Sequence, residues 1–291
     1  TISDEILKRV VESYRRIRNT LRFLLANIGD FDAAKHALPV EQWLEIDRYA
    51  LALTQKLQDE ICADYGRYEF HQVVQKLQSF CSEDLGGFYL DILKDRLYTA
   101  GEDSKARRSA QNALYHITHS LVRLMAPILS FTGEEVWTIL TGKDDVSVFE
   151  QQWYLLPPHE LDTTTESDWF EIRRDREQAN KQIEELRSQG KLGASLQAEL
   201  KLCAHGPRYD RLARLGEDLK FVFITSSATL EKTGDAATAG VEVAPSAHAK
   251  CERCWHYRAD VGNNVNHPAL CGRCVSCVGG DDAENGARRY A

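Results

Sequence analysis

Leu7, Val10, Tyr14, Ile17, Leu21, Leu24 and Ile28 follow one another at alternating three- and four-residue steps, which places them on one stripe of a single long helix. Ser3 or Asp4 can cap its start and Gly29 its end, so the stripe predicts an amphipathic helix packed against others. The same spacing predicts a second helix over residues 40–65, a third over 68–82 and, after Gly86 and Gly87, a fourth over 88–98. A fifth begins near Ser104, carries Leu114, Ile117, Leu121 and Leu124, and must end or kink at Pro127. Thr132 followed by Glu135 has the form of a capping box opening a sixth helix through Val136, Trp137 and Leu140. Residues 1–150 therefore read as an antiparallel helical bundle.

Pro157, Pro158 and the run Thr163, Thr164, Thr165 mark a boundary or linker, and the pattern changes after it. A charged helix over 169–188 is followed by strict alternation: Leu196, Ala198, Leu200 and Leu202 on one face, Gln197, Glu199 and Lys201 on the other. A helix opening at Pro207, a buried strand Phe221-Val222-Phe223-Ile224 and a second strand Val241-Glu242-Val243 complete a small α+β module over 151–245. A Ser/Ala/Gly-rich segment joins it to a cysteine-bearing tail, 246–291.

That tail changes the picture most. Cys251-Glu252-Arg253-Cys254 and Cys271-Gly272-Arg273-Cys274 are two Cys-x-x-Cys pairs with sixteen residues between Cys254 and Cys271. Two intervening residues let both thiolates of a pair converge on one ion, so the spacing points to a single structural Zn2+ held by Cys251, Cys254, Cys271 and Cys274. Four protein ligands leave no open position for an activated water, which argues for structure rather than metal catalysis. Two disulfides would use the same cysteines, but nothing at the N-terminus resembles a secretory signal. Cys277, His256 and His267 are spare donors expected beside the ion rather than on it. Cys62, Cys81 and Cys203 are scattered singly and read as reduced, buried residues of a cytoplasmic protein.

Composition sets bounds. A 43% hydrophobic content fits a soluble globular protein, and no apolar run approaches a membrane span. Residue 1 is Thr and the only Met is Met125, so the chain is expected to be a piece of a longer one. A net charge of -8 excludes a uniformly basic nucleic-acid binder and leaves only local patches. One such patch lies on the first helix, where no carboxylate falls between Glu12 and Asp30 while Arg15, Arg18 and Arg22 line up beside Asn19. These guanidiniums either face phosphates and base edges or pair with acids elsewhere in the bundle. A second lies in the tail, where Arg253, Trp255 and Arg273 combine cations with a stacking ring suited to single-stranded RNA; the alternative is a zinc module that only packs on its neighbour. Phosphate-cradling loops, nucleophile elbows and catalytic metal motifs are absent from the sequence, and His116 and His119 are expected to pack rather than bind metal.

Several segments resemble one family. Residues 7–32, DILKDRLY at 91–98, MAPILSFTGEEVW at 125–137 and GASLQAEL at 193–200 look like the anticodon-binding region of isoleucyl-tRNA synthetases. CERCWHY followed by CGRCVSCV is similar to the C-terminal zinc finger of the bacterial-type enzymes, with Cys277 standing where a polar residue such as Asn is expected and adding a redox-sensitive thiol. The resemblance implies a mainly α fold: a class I anticodon-binding bundle, then a small α+β module and a four-cysteine zinc finger, together docking the anticodon stem-loop of tRNA(Ile). It also implies a monomeric parent ligase that joins isoleucine to tRNA with ATP and edits mischarged valine in a separate domain, because a binding pocket discriminates poorly on one methylene. The His-Ile-Gly-His and Lys-Met-Ser-Lys-Ser signatures are absent from this sequence, so the piece itself is expected to be non-catalytic and to bind no ATP. A related finger occurs in formamidopyrimidine-type DNA glycosylases, which makes a DNA-repair finger or a purely structural zinc module the competing readings.

Overall fold

In the computed structural model, Ser3 accepts a hydrogen bond from the Ile6 amide and opens helix α1, Asp4–Ile28. The structure describes residues 3–235 and 238–291. The chain divides into two compact units: Thr1–Trp43, Asp47–Asp91 and Arg108–Glu160 form the first, and Leu44–Ile46, Ile92–Arg107 and Leu161–Ala291 the second.

The first unit is built from helices. After α1 come the single turn α2 (Ala33–His36), α3 (Glu45–Gly66), α4 (Phe70–Ser79), a π-helical segment Phe80–Tyr89, α5 (Leu90–Thr99), α6 (Lys105–Met125) and α7 (Ser130–Thr141), with most of α5 and the first turn of α6 counting with the second unit. Its core gathers Leu21 and Leu24 of α1, Leu51 and Ile61 of α3, Leu77 of α4, and Leu114, Ile117, Leu121 and Leu124 of α6, all excluded from water. Leu7 and Val10, expected in that core, are 51% and 60% exposed: the first interhelical hydrogen bonds of α1 are those of Ser13 with Gln78 and Tyr14 with Thr132, and the turns before them stand clear.

Two sequence expectations change here. Gly86 and Gly87 do not break the third helix from the fourth; α4, the π segment and α5 run on without interruption over 70–99. A Cβ at Gly86 would lie 3.0 Å from the Cys81 carbonyl oxygen and one at Gly87 3.3 Å from that of Ser82. Each clash is with the residue five positions back, as the wide π turn requires, so both positions favour glycine because of the turn's packing. Thr132 and Glu135 also do not form a capping box. Helix α7 starts at Ser130 with Leu129 as an uncapped N-terminus, while Thr132 bonds Tyr14 and Glu135 pairs with Arg18.

The second unit contains α8 (Thr163–Ser188), so the threonine run opens a helix capped by Asp162 instead of lying in a linker. Beyond it lie β1 (Ala198–Ala204), α9 (Gly206–Ala213), α10 (Leu219–Phe223), β2 (Ser227–Lys232) and β3 (Gly240–Pro245). β1 is central, parallel to β2 with Leu200 opposite Ala228 and antiparallel to β3 with Leu200 opposite Val243. Ala198 packs with Ile183 and Leu192, which seats α8 on the sheet. The expected strand at 221–224 is instead α10, closed by Ile224 in the left-handed region at φ 55°. A four-residue apolar run has no periodicity to separate strand from helix. In the fold the run is buried, with the Arg288 guanidinium 3.5 Å from the Phe221 ring centroid.

Candidate metal centre and nucleic-acid face

β4 (Ala249–Lys250) and β5 (Tyr257–Arg258) pair antiparallel, and the loop between them is the first cysteine knuckle. The Cys251 amide donates to the His256 carbonyl at 2.8 Å and the Trp255 amide to the Cys251 carbonyl at 2.9 Å, folding the loop around Cys251 and Cys254. The second knuckle is the first turn of α11 (Gly272–Val278), with Cys271 just before it. The Cys271 amide donates to the Cys251 sulfur at 3.3 Å, so the knuckles meet directly. The Gly272 amide donates to the Asp260 carboxylate at 2.9 Å, and a Cβ at Gly272 would come within 2.8 Å of that carboxylate and push its side chain aside.

All four thiol sulfurs are buried and lie within 4.8 Å of one another, with Cys254 and Cys271 3.7 Å apart. That is far beyond a disulfide bond of about 2.05 Å. A tetrahedron of zinc–sulfur bonds of about 2.3 Å has edges of about 3.8 Å, so the donor set fits a zinc ion in size and chemistry. Hydrogen bonds from Cys271 and Cys274 hold Cys254 low, and the same contacts raise Cys274 and push Cys271 up to about 12. Four thiolates need a cation between them. His256, His267 and Cys277 stand outside the cluster: His256 faces Asp95, His267 is exposed, and the Cys277 thiol contacts the Thr99 carbonyl at 3.1 Å.

The basic residues of the tail are engaged inward. Arg273 is 5% exposed and forks onto Asp95 at 2.7 and 2.8 Å, while Arg253 donates to the Thr99 carbonyl at 2.6 Å and reaches the Cys274 and Cys277 sulfurs. Charged side chains that read as an RNA-facing pair in sequence are thus spent on protein partners, because the helix end that receives them is some 150 positions upstream and leaves no local signal. Trp255 behaves differently. It is 59% exposed, with the Lys250 ammonium 5.3 Å from its ring, and it takes φ 65°, a conformation costly for a residue with a Cβ.

On α1, Arg15 pairs with Glu12 at 2.9 Å and Arg18 forks onto Glu135 at 2.7 and 2.8 Å, which holds the Glu135 carboxyl below its ordinary range. Asn19 and Arg22 are exposed, and among the described residues neither side chain has a hydrogen-bond or ion-pair partner. His116 and His119 pack as expected, His116 on the Tyr154 hydroxyl at 2.8 Å and His119 stacked on the Tyr154 ring.

Comparison with known proteins gives the class to which this set of helices, small mixed sheet and four-cysteine knuckle pair belongs, a region of tRNA ligases. Residues 47–202 match the model of the anticodon-binding domain of tRNA ligases, and 250–276 match a zinc finger found in FPG and IleRS. The chain belongs to the anticodon-binding domain family of tRNA ligases. Among individual proteins it is similar to the isoleucine–tRNA ligase of Dechloromonas aromatica, 59% identical over 286 residues that make up 98% of this chain and 30% of that protein. The isoleucine–tRNA ligase of Burkholderia orbicola is 57% identical over 290 residues, 100% of this chain and 30% of the relative. That of Cupriavidus necator is 59% identical over 281 residues, 95% and 29%. The chain thus spans about 30% of the length of these relatives.

Proposed function

We propose that this chain is the anticodon-recognising part of an isoleucine–tRNA ligase, which attaches isoleucine to tRNA(Ile) using ATP bound elsewhere in the parent protein. The observation that carries the reading is the 59% identity to such a ligase across 98% of the chain, bundle and cysteine tail together. The finger alone would not decide between this and a DNA glycosylase, since both kinds of protein carry it; the matched bundle favours the ligase.

In this reading residues 1–150 dock the anticodon stem-loop, 151–245 join the bundle to the tail, and 246–291 form a module folded around one structural zinc on Cys251, Cys254, Cys271 and Cys274. Asn19 and Arg22 offer free polar groups to the RNA, Arg15 and Arg18 exchange carboxylates for phosphates, and Trp255 stacks on an unpaired base. Arg253 and Arg273 serve by holding Trp255 and the knuckles in place. The contribution to catalysis is positioning, with the acceptor end presented to an active site in the catalytic domain of the parent chain, beside its editing domain. A monomer in the reducing cytoplasm is part of the same reading, in keeping with the free thiols; among the described residues no helix is long and apolar enough to cross a membrane.

The test is binding of this chain to tRNA(Ile) and to the same transcript carrying a methionine anticodon. Tighter binding to the first, lost in part by Arg22→Ala at about 1–3 kcal/mol, is expected. Equal affinity for both transcripts would overturn the reading.

A further inference from the structure

The inner residue of each knuckle leaves the cysteine cluster for the same stretch of chain. Arg253, between Cys251 and Cys254, ends on the Thr99 carbonyl; Arg273, between Cys271 and Cys274, ends on both oxygens of Asp95. His256, two residues past Cys254, places Nε2 3.5 Å from Asp95 Oδ1. Arg288, from the last turn of chain, also pairs with Asp95 while lying on Phe221. One carboxylate, its side chain 15% exposed, therefore receives three segments that are remote in sequence. Burial alone would raise its pKa, but Arg288 and Arg273 hold it well below the carboxylate range, so it stays charged.

Beyond residues 92–99 the knuckles also touch the Phe221 ring, through His256 and Arg273, and the Tyr257 amide just after the first knuckle donates to the Ser226 hydroxyl at 2.6 Å. The buried cluster that unites the knuckles consists of Cys251, Cys254, Cys271 and Cys274, with the partly buried Val261 and Leu270 packed against it, and α11 is two turns long. Arg253 and Arg273 lie between cysteines of the cluster and His256 two residues past one, so their placement on residues 92–99 is tied to that of the four sulfurs.

We infer that Asp95 is the positioning residue of the cysteine cluster, so that metal occupancy and the seating of residues 92–99 stabilise one another. The inference rests on the zinc reading above. Coupling between two binding events is reciprocal. Loss of the ion lets Arg253, His256 and Arg273 swing away from residues 92–99; loss of the Asp95 charge removes the ion-pair partner of the buried Arg273 and Arg288 and loosens the second knuckle, which carries two of the four ligands.

The experiment uses the whole chain purified with zinc. Metal content is measured first: a chain that takes up no zinc overturns the metal reading itself. With zinc at one per chain, release to a chromophoric chelator is timed for the native protein, Asp95→Asn, Arg273→Gln and the double variant, with Glu102→Gln on an exposed loop as control. Asp95→Asn is expected to release zinc about tenfold faster at unchanged stoichiometry. The double variant should be no faster than the worse single variant, because the two side chains act as one contact. Hydrogen exchange in residues 92–99 should quicken when native protein is stripped of zinc. Unchanged release in Asp95→Asn, additive effects, or exchange in 92–99 that ignores the metal would each overturn the inference. Should Asp95→Asn fail to fold, Arg273→Gln and the exchange comparison decide alone.

Discussion

Trp255 holds a backbone conformation that glycine would adopt without strain, and it exposes its ring to solvent. Strain at an exposed aromatic residue motivates a contact role for its side chain. Trp255→Gly should therefore leave zinc content intact and hold or raise the melting temperature, while weakening tRNA binding by about 1–3 kcal/mol, the worth of one stacked base. A variant that binds tRNA as well as the native chain would mark Trp255 as structural. His116 and His119 give a different residue-scale prediction. Burial lowers both to about 4, against 6.5 when solvated, so the folded state keeps them neutral and the unfolded state binds their protons first. Their contribution is complete above pH 6.5 and drains away as the pH falls toward 4, at up to about 1.4 kcal/mol per pH unit for each imidazole. Urea midpoints at pH 7.5 and 5 should differ less in a His116→Gln, His119→Gln double variant than in the native chain. At this scale sequence was a mixed guide: the cysteine spacing named four sulfurs that do meet, whereas Glu135 could not be known as the partner of Arg18, nor Asp95 as that of Arg273, because those pairs are closed by tertiary structure.

Among elements, the periodic ones were legible and the aperiodic ones were not. Helix α1 ends within a residue of its predicted bounds, since its stripe and its Ser3 cap are local facts. The π segment and α10 were missed for opposite reasons. Two adjacent glycines look like a break when helix propensity is weighed alone. A run such as Phe221-Val222-Phe223-Ile224 looks like a strand when hydrophobicity is weighed alone, yet here it closes in a left-handed cap. The π segment reverses a common expectation about glycine. Alanine in place of a helical glycine usually stabilises by up to about 1 kcal/mol, and a methyl added at Gly66, at the end of α3, would meet nothing within 4 Å. Gly86→Ala should instead destabilise by about 1–3 kcal/mol, because its methyl meets a carbonyl oxygen at 3.0 Å. Thermal melts of Gly86→Ala and Gly66→Ala should move in opposite directions; a shared direction would remove the packing explanation for the π turn.

For the whole molecule, the helical bundle, the small sheet and the cysteine tail follow in the order the sequence suggests, while the second unit also recruits residues 44–46 and 92–107, which no local pattern assigns to it. Asp95 sits in a segment, Lys94-Asp95-Arg96, that reads as an ordinary solvated helix face. Long-range assembly of this kind is invisible to periodicity, which reports only what one element presents to its neighbours. The sulfur spacing carries one last consequence. A gap of 3.7 Å between Cys254 and Cys271 suits an ion, and with no ion to hold the sulfurs apart an oxidant can draw the same two thiols together into a covalent bond. A chain that has lost its metal is therefore in a race between reloading and air oxidation, and the two outcomes are not equally reversible. Zinc restored promptly under a thiol reductant should return full metal content, whereas the same protein left stripped in air should accumulate disulfide, lose free-thiol titre pairwise, and refuse the ion until reduced. Handling history, as much as amino-acid sequence, then sets how much of a preparation is competent.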